Sequence, residues 1–184
     1  IVVAALTSPT FQMETIGLAA LAFGIAAYAL TFIAVTWRYS RHAVPEAVKP
    51  LFCIYTAPMS LSLAGYMAVV EFKSVMLMAV MQILAQIIFV VVLTQLPGLL
   101  RLSFYPSYAA FTFPFVITAT ALKGFVQHLQ AEQLYTNLIA PLQFIVTFET
   151  VLAAGLVAYT ALHYANFIAI QNRREEECYA PQEQ

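Results

Sequence analysis

Two prolines stand where a membrane span can least accommodate them, and the hydroxyls around them are the side chains with chemistry to offer. Pro58 and Pro114 close the same pattern, Thr56-Ala57-Pro58 and Thr112-Phe113-Pro114, and each falls 9 residues into its stretch, counted from Lys49 and from Tyr105. A proline inside a helix removes a backbone donor and clashes with the carbonyl one turn back. The freed carbonyl attracts a cation or a donor; a hydroxyl nearby either satisfies it or offers its O–H to an anion. Thr56 and Ser60 lie one turn apart in one stretch, and Thr112, Thr118 and Thr120 surround the other proline. With no fixed charge beside them, an ion would be held weakly, which suits conduction or fast transport better than tight recognition. Phe111, Phe113 and Phe115 flank Pro114. An aromatic ring at a constriction can close a passage by bulk and dewetting, while the plainer role of such rings is packing against lipid or neighbouring helices. Glu149 is the one acidic side chain deep in an apolar run, which makes it a functional candidate by default. A protonated or hydrogen-bonded glutamate holding two helices together is the competing reading.

What is missing narrows the chemistry. The chain contains no aspartate, which removes paired-aspartate intramembrane proteases and Asp-rich prenyl-diphosphate enzymes from consideration for these residues. No His-Glu-x-x-His, Gly-x-Ser-x-Gly or glycine-rich phosphate loop occurs. His42, His128 and His163 are scattered, and Cys53 and Cys178 are placed far apart, one in a span and one in a polar tail. Neither set suggests a metal site or a disulfide framework. The expectation is a protein with no catalytic residues, no metal and no cofactor, and so not an enzyme. A net charge of −1 gives no sign of a nucleic-acid partner, and none is expected.

The elements that hold these residues are read from hydropathy. Of 184 residues, 62% are hydrophobic and 9% charged, with a mean hydropathy of +0.82. A soluble domain carries about 25% charged residues, so the composition is that of a polytopic membrane protein with the lipid bilayer as its solvent. The opening Ile-Val-Val-Ala-Ala-Leu reads as the last turns of a helix cut through its middle, hence as part of a longer protein. Five full spans follow, near residues 15–37, 50–70, 75–97, 105–127 and 138–170, making a transmembrane domain over 1–170 and a polar tail over 171–184. Ala20, Gly24 and Tyr28 fall on one helix face and permit a close helix contact. Gln82 and Gln86, one turn apart, read as interhelical hydrogen-bonding groups. Arg38, Arg41, Lys49, Arg101, Arg173 and Arg174 share one side if the spans alternate, against Lys73 and Lys123 on the other. That bias puts the loop after the first full span and the C-terminus in the cytoplasm. The predicted fold class is all-α integral membrane, built from repeated helical hairpins, kinked then straight, at a spacing of 56 residues between Pro58 and Pro114.

Ala110-Phe-Thr-Phe-Pro-Phe-Val-Ile-Thr-Ala-Thr-Ala121, preceded by Phe104-Tyr-Pro-Ser-Tyr108, resembles the ninth helix of the tellurite-resistance/dicarboxylate transporter family. That family includes bacterial tellurite-resistance proteins, fungal malate permeases and the slow anion channels of plant guard cells. Ile54-Tyr-Thr-Ala-Pro-Met-Ser-Leu61 is similar to its seventh helix and Val2-Val-Ala-Ala-Leu-Thr-Ser-Pro9 to the end of its fifth. The resemblance implies a ten-helix protomer of five hairpins around a central pore, of which this chain would hold the second half, and assembly as a homotrimer. It implies a pore gate at Phe113, with kinks and lining at Pro58, Pro114, Thr56, Ser60, Thr112, Ile117 and Thr120. The implied activity is anion or organic-acid transport, of the C4-dicarboxylate kind, in the plasma or inner membrane. Independently of the resemblance, the place of Glu149 in the last, straight span, away from the kinked pair, makes it the candidate for proton coupling. The alternative is a non-transporting integral-membrane structural or assembly subunit whose kinks serve packing alone.

Overall fold

Long apolar runs have one open-ended solution in lipid, a helix that satisfies its own backbone groups. The computed structural model describes residues 1–179 and contains only helices and their connections among them. A short α1 (Val2–Thr7) runs into a 3₁₀ turn over Ser8–Phe11 and is followed by α2 (Glu14–Arg41). Glu14 lies in the first turn of α2 and Arg38 and Arg41 in its last, the signs that the helix dipole favours at each end. A 3₁₀ segment over Glu46–Thr56 leads directly into α3 (Ala57–Val69). Then comes α4 (Val75–Leu99), whose first turn is capped by the Ser74 hydroxyl accepting the Leu77 N–H at 3.4 Å. A second composite span joins a 3₁₀ segment over Pro106–Phe111 to α5 (Phe113–Ala131), and α6 (Thr136–Tyr179) completes the chain. Among the described residues five helical stretches are long and apolar enough to cross a membrane: Glu14–Arg41, Glu46–Val69, Val75–Leu99, Pro106–Ala131 and Thr136–Arg173. That is the helix complement of a multi-pass membrane-embedded chain.

The prolines do not kink continuous helices, as the sequence suggests they should. Pro58 and Pro114 each occupy the second residue of an α-helix, where a backbone N–H would have had no intrahelical acceptor. The break is placed one residue ahead of each, at a change from 3₁₀ to α winding. This removes the steric and hydrogen-bonding fault that a mid-helix proline creates. The 11-residue 3₁₀ run over Glu46–Thr56 is far beyond the usual limit of about three or four.

The two composite spans pack against each other, α3 on α5 and one 3₁₀ segment on the other, with α4 and α6 on their flanks. One core cluster joins Cys53, Phe89, Val92, Tyr108, Phe111 and Phe115 to Ala153 and Leu156 of α6. A second joins Leu63, Met78, Met81, Ile117, Phe125 and Leu129. α1 wedges between α2 and α3. The buried face of α2 is Gly17, Leu21 and Gly24, whereas Ala20 and Tyr28, expected on the contact face, are only half-buried. A Cβ at Gly17 would lie 1.9 Å from Ser8 Oγ, and one at Gly24 would lie 2.2 Å from Val2 Cγ2. Glycine is what lets α1 come so close.

The last helix extends beyond the predicted span end at 170, staying helical to Tyr179. Arg173, Arg174 and the glutamates after them are good helix formers, so nothing in the sequence stops the helix there. At 44 residues α6 is about 66 Å long, well over the roughly 30 Å of a bilayer core. The end of the expected polar tail, residues 180–184, lies outside the described residues.

Candidate functional site

The Thr-x-Pro match proves to be the end of a longer repeat. Shifting the chain by 56 residues lays Pro50 on Pro106, Phe52 on Tyr108, Tyr55 on Phe111, Thr56 on Thr112 and Pro58 on Pro114. The two copies fold alike. In 3₁₀ winding, residues three apart eclipse one another, and the paired aromatics do so in both segments. Phe52 and Tyr55 have ring centroids 5.2 Å apart, and Tyr108 and Phe111 have theirs 4.9 Å apart. The hydroxyls repeat as well. Thr56 donates to the Cys53 carbonyl at 3.1 Å, as Thr112 does to Ala109 at 2.7 Å. One turn past the junction, Ser62 donates to the Pro58 carbonyl at 2.7 Å and Thr118 to that of Pro114 at 2.8 Å. The sequence signal for this nine-residue unit was present, but it emerges only when aromatic residues are treated as equivalent.

These bonds answer what the hydroxyls do. Thr56, Ser60, Thr112, Thr118 and Thr120 each have a backbone carbonyl within hydrogen-bonding distance; Ser60 reaches that of Thr56 at 3.0 Å and Thr120 that of Val116 at 2.8 Å. Each hydroxyl has a single proton to donate. In this structure the acceptor in each case is a carbonyl three or four residues earlier in the same span. Thr56, Ser60 and Thr118 are fully buried where the two spans meet, and Ser60 Oγ lies 3.2 Å from Thr118 Oγ1. They mark the point where one composite span packs on the other.

The flanking phenylalanines separate cleanly. Phe111 and Phe115 are core residues, 0% and 1% exposed, while Phe113 is 50% exposed. Phe113 begins an uncovered stripe along α5 that continues through Val116, Thr120 and Lys123, at helical spacing. Ile117 falls on another face and packs into the second core cluster. Pro114 is buried and Pro58 half-buried. The break is sharper ahead of Phe113 than at the first junction: Thr112 has φ −96° and ψ −90°, while Thr56 keeps a near-helical φ −73° and ψ −25°. The residue matching Phe113 in the first copy is Ala57, only 5% exposed. One junction therefore carries a ring on its open side and the other does not. The first composite span also has an uncovered line, Leu51, Ile54 and Pro58, which borders a cavity of about 830 Å³ against α2. Arg38, Tyr39 and Tyr28 lie on the far wall of that cavity.

Glu149 lies apart from the stripe. It is 1% exposed on α6, on the same face as Ala153 and Leu156, and both carboxyl oxygens lack a well-formed hydrogen bond. Gln86 of α4 is within reach of the carboxyl. Gln82, expected to bond between helices, is buried with neither amide atom partnered. His42, His128 and His163 are not brought together, and among the described residues no group of three or more His, Cys, Asp or Glu side chains could hold a metal ion. His163 instead lies among aromatic rings, stacked on Phe104 at 5.9 Å and close to Tyr159. Comparison with protein-family models, curated protein sequences and solved structures found no match to this chain.

Proposed function

We propose that this chain forms part of the wall of an anion-conducting pathway, with Phe113 as the ring that closes it. The observation that carries the reading is the uncovered stripe of α5, which starts at Phe113, immediately after a backbone break. A lumen needs a helix face that neighbouring protein leaves open, and a gate needs a bulky group at a point where the axis changes direction. Phe113, Val116 and Thr120 supply both, with an apolar character that excludes ions by dewetting until the ring moves. The resemblance of the Ala110–Ala121 and Ile54–Leu61 sequence motifs to those of dicarboxylate and slow anion transporters supports small inorganic or organic anions as the cargo, and a homotrimer as the assembly. The positive-inside bias supports a cytoplasmic C-terminus in a plasma or inner membrane.

A second reading has a specific observation behind it. Because the junction hydroxyls all have backbone carbonyls as partners, the breaks could serve packing alone, in a non-transporting structural or assembly subunit. Reconstitution of the full-length protein in liposomes, with efflux of a trapped anion followed over time, separates the two. Flux above that of empty liposomes supports the pathway. Flux equal to empty liposomes, for chloride and for a C4-dicarboxylate alike, supports the structural subunit.

A further inference from the structure

Three polar side chains in the interior of the spans play no part in the pathway just described. Glu149 sits 13 residues into α6, about 20 Å along its axis, and is buried with its carboxyl oxygens unpartnered. Gln86 reaches toward it from α4, where its amide nitrogen has no other well-formed bond. Gln82, one turn from Gln86, is 5% exposed and unpartnered at both amide atoms. α4 and α6 both flank α5 and leave between them a cavity of about 750 Å³, which Gln82 and Gln86 help to line. Its α6 wall includes Ile145, one turn before Glu149, and Leu122 and Phe125 of α5 form part of its floor.

An unmatched carboxyl beside one amide, with a second unmatched amide one turn further along α4, is an unusual choice for packing, since each forfeits a hydrogen bond that water would have supplied. They are a sensible choice for a group that changes its protonation. An amide presents N–H donors to a carboxylate and a carbonyl to a carboxylic acid, so it can partner either form by rotating. A lysine or arginine would instead lock the carboxylate in place. No such cation faces Glu149. α4 has no titratable group between Val75 and Leu99, and α5 offers only Lys123, on its exposed stripe, and the half-buried His128. The 3₁₀ segment packed on α6 contributes Tyr108, whose hydroxyl is given to the Leu102 carbonyl. On α6 itself Tyr159, His163 and Tyr164 are ten or more residues further along.

We propose that Glu149, Gln86 and Gln82 form a membrane-interior proton-binding site, distinct from the Phe113 stripe and bordered by the cavity between α4 and α6. The proton resides on the Glu149 carboxyl, and the two amides turn to match its presence or absence.

The test is carbodiimide labelling of the full-length protein in native membranes, read by peptide mass mapping. Dicyclohexylcarbodiimide enters apolar regions and reacts with a protonated carboxyl by addition across one N=C bond, followed by rearrangement to a stable N-acylurea with no atom lost. Expected is modification at Glu149 by this apolar reagent, little by a water-soluble carbodiimide, and loss of labelling as the medium is made alkaline. Gln86→Leu and Gln82→Leu, which keep the carboxyl and are the better tolerated variants, should each move the pH midpoint of labelling. Labelling that is absent at every pH, or equal for the two reagents, overturns the proposal. A midpoint unmoved by both glutamine variants does so as well. The assay requires no transport, so its failure and the failure of the anion pathway are separate results.

Discussion

Replacing glycine by alanine at two positions in long apolar helices should produce effects of opposite sign. At Gly17 the added methyl would meet Ser8 Oγ at 1.9 Å, Ser8 Cβ at 2.8 Å and Val69 Cγ1 at 2.8 Å. Rotating Ser8 away would break its hydrogen bond to the Ala5 carbonyl, 3.0 Å long and buried, at a cost of about 1 kcal/mol. The remaining contacts require the Ser8–Phe11 turn and α3 to shift, and overpacking of this kind costs about 1–3 kcal/mol. Against this stands the gain of about 1 kcal/mol in helix propensity from Gly to Ala. Gly17→Ala should therefore destabilise the protein by about 1–3 kcal/mol net. At Gly155 a Cβ meets nothing within 4 Å, so only the propensity gain remains and stability should rise by up to about 1 kcal/mol. The assay is reversible unfolding of the purified full-length protein in mixed micelles, with Ser8→Gly added to Gly17→Ala as a partial rescue. Two variants of equal stability, or a Gly17→Ala defect untouched by Ser8→Gly, would refute the close packing of α2 on Ser8.

Two further outcomes are expected. Glu149→Gln should leave the ranking of transported anions unchanged, since the residue lies off the Phe113 stripe, and should flatten the pH dependence of uptake measured with a tracer anion. A changed ranking would put Glu149 in the pathway. With Cys178 replaced by serine and Cys53 fully buried, Ala43→Cys should react with an impermeant thiol reagent only after cells are opened, and Glu71→Cys in intact cells. The reverse pattern would invert the topology.

How much was legible in the sequence follows from which forces set each feature. Span number and order came from hydropathy, because a bilayer leaves an apolar run little choice but helix. The 56-residue spacing came from Thr56, Pro58, Thr112 and Pro114 alone. The form of the break did not. A sequence marks where proline disturbs a helix, yet whether the chain kinks or rewinds as 3₁₀ depends on the partner span, and here Ser60 and Thr118 meet across that contact. The difference between Phe111, Phe113 and Phe115 was equally hidden. All three are phenylalanine within five residues, and only the packing of α6 and α4 on two of them leaves the third open. Glu149 is conspicuous in the sequence as a lone acid in an apolar run, whereas nothing in the spacing of Gln82 and Gln86 tells that the Gln82 amide and the Gln86 amide nitrogen lie buried without a well-formed bond.

The central claim is tested most directly by anion current, or tracer uptake normalised to surface amount, for Phe113→Ala beside Phe111→Ala in the full-length protein. Phe113 is half exposed at the start of the stripe, so removing its ring should raise anion flux severalfold with cations still excluded. Phe111 is sealed in the core. A phenyl-sized void of about 100 Å³, at about 24 cal/mol per Å³, adds about 2–3 kcal/mol to the lost burial of the ring, for a total of about 3–5 kcal/mol. Phe111→Ala should therefore lower stability without opening the pathway. Flux through Phe113→Ala no greater than wild type, or equal opening by both variants, would contradict the assignment of the gate.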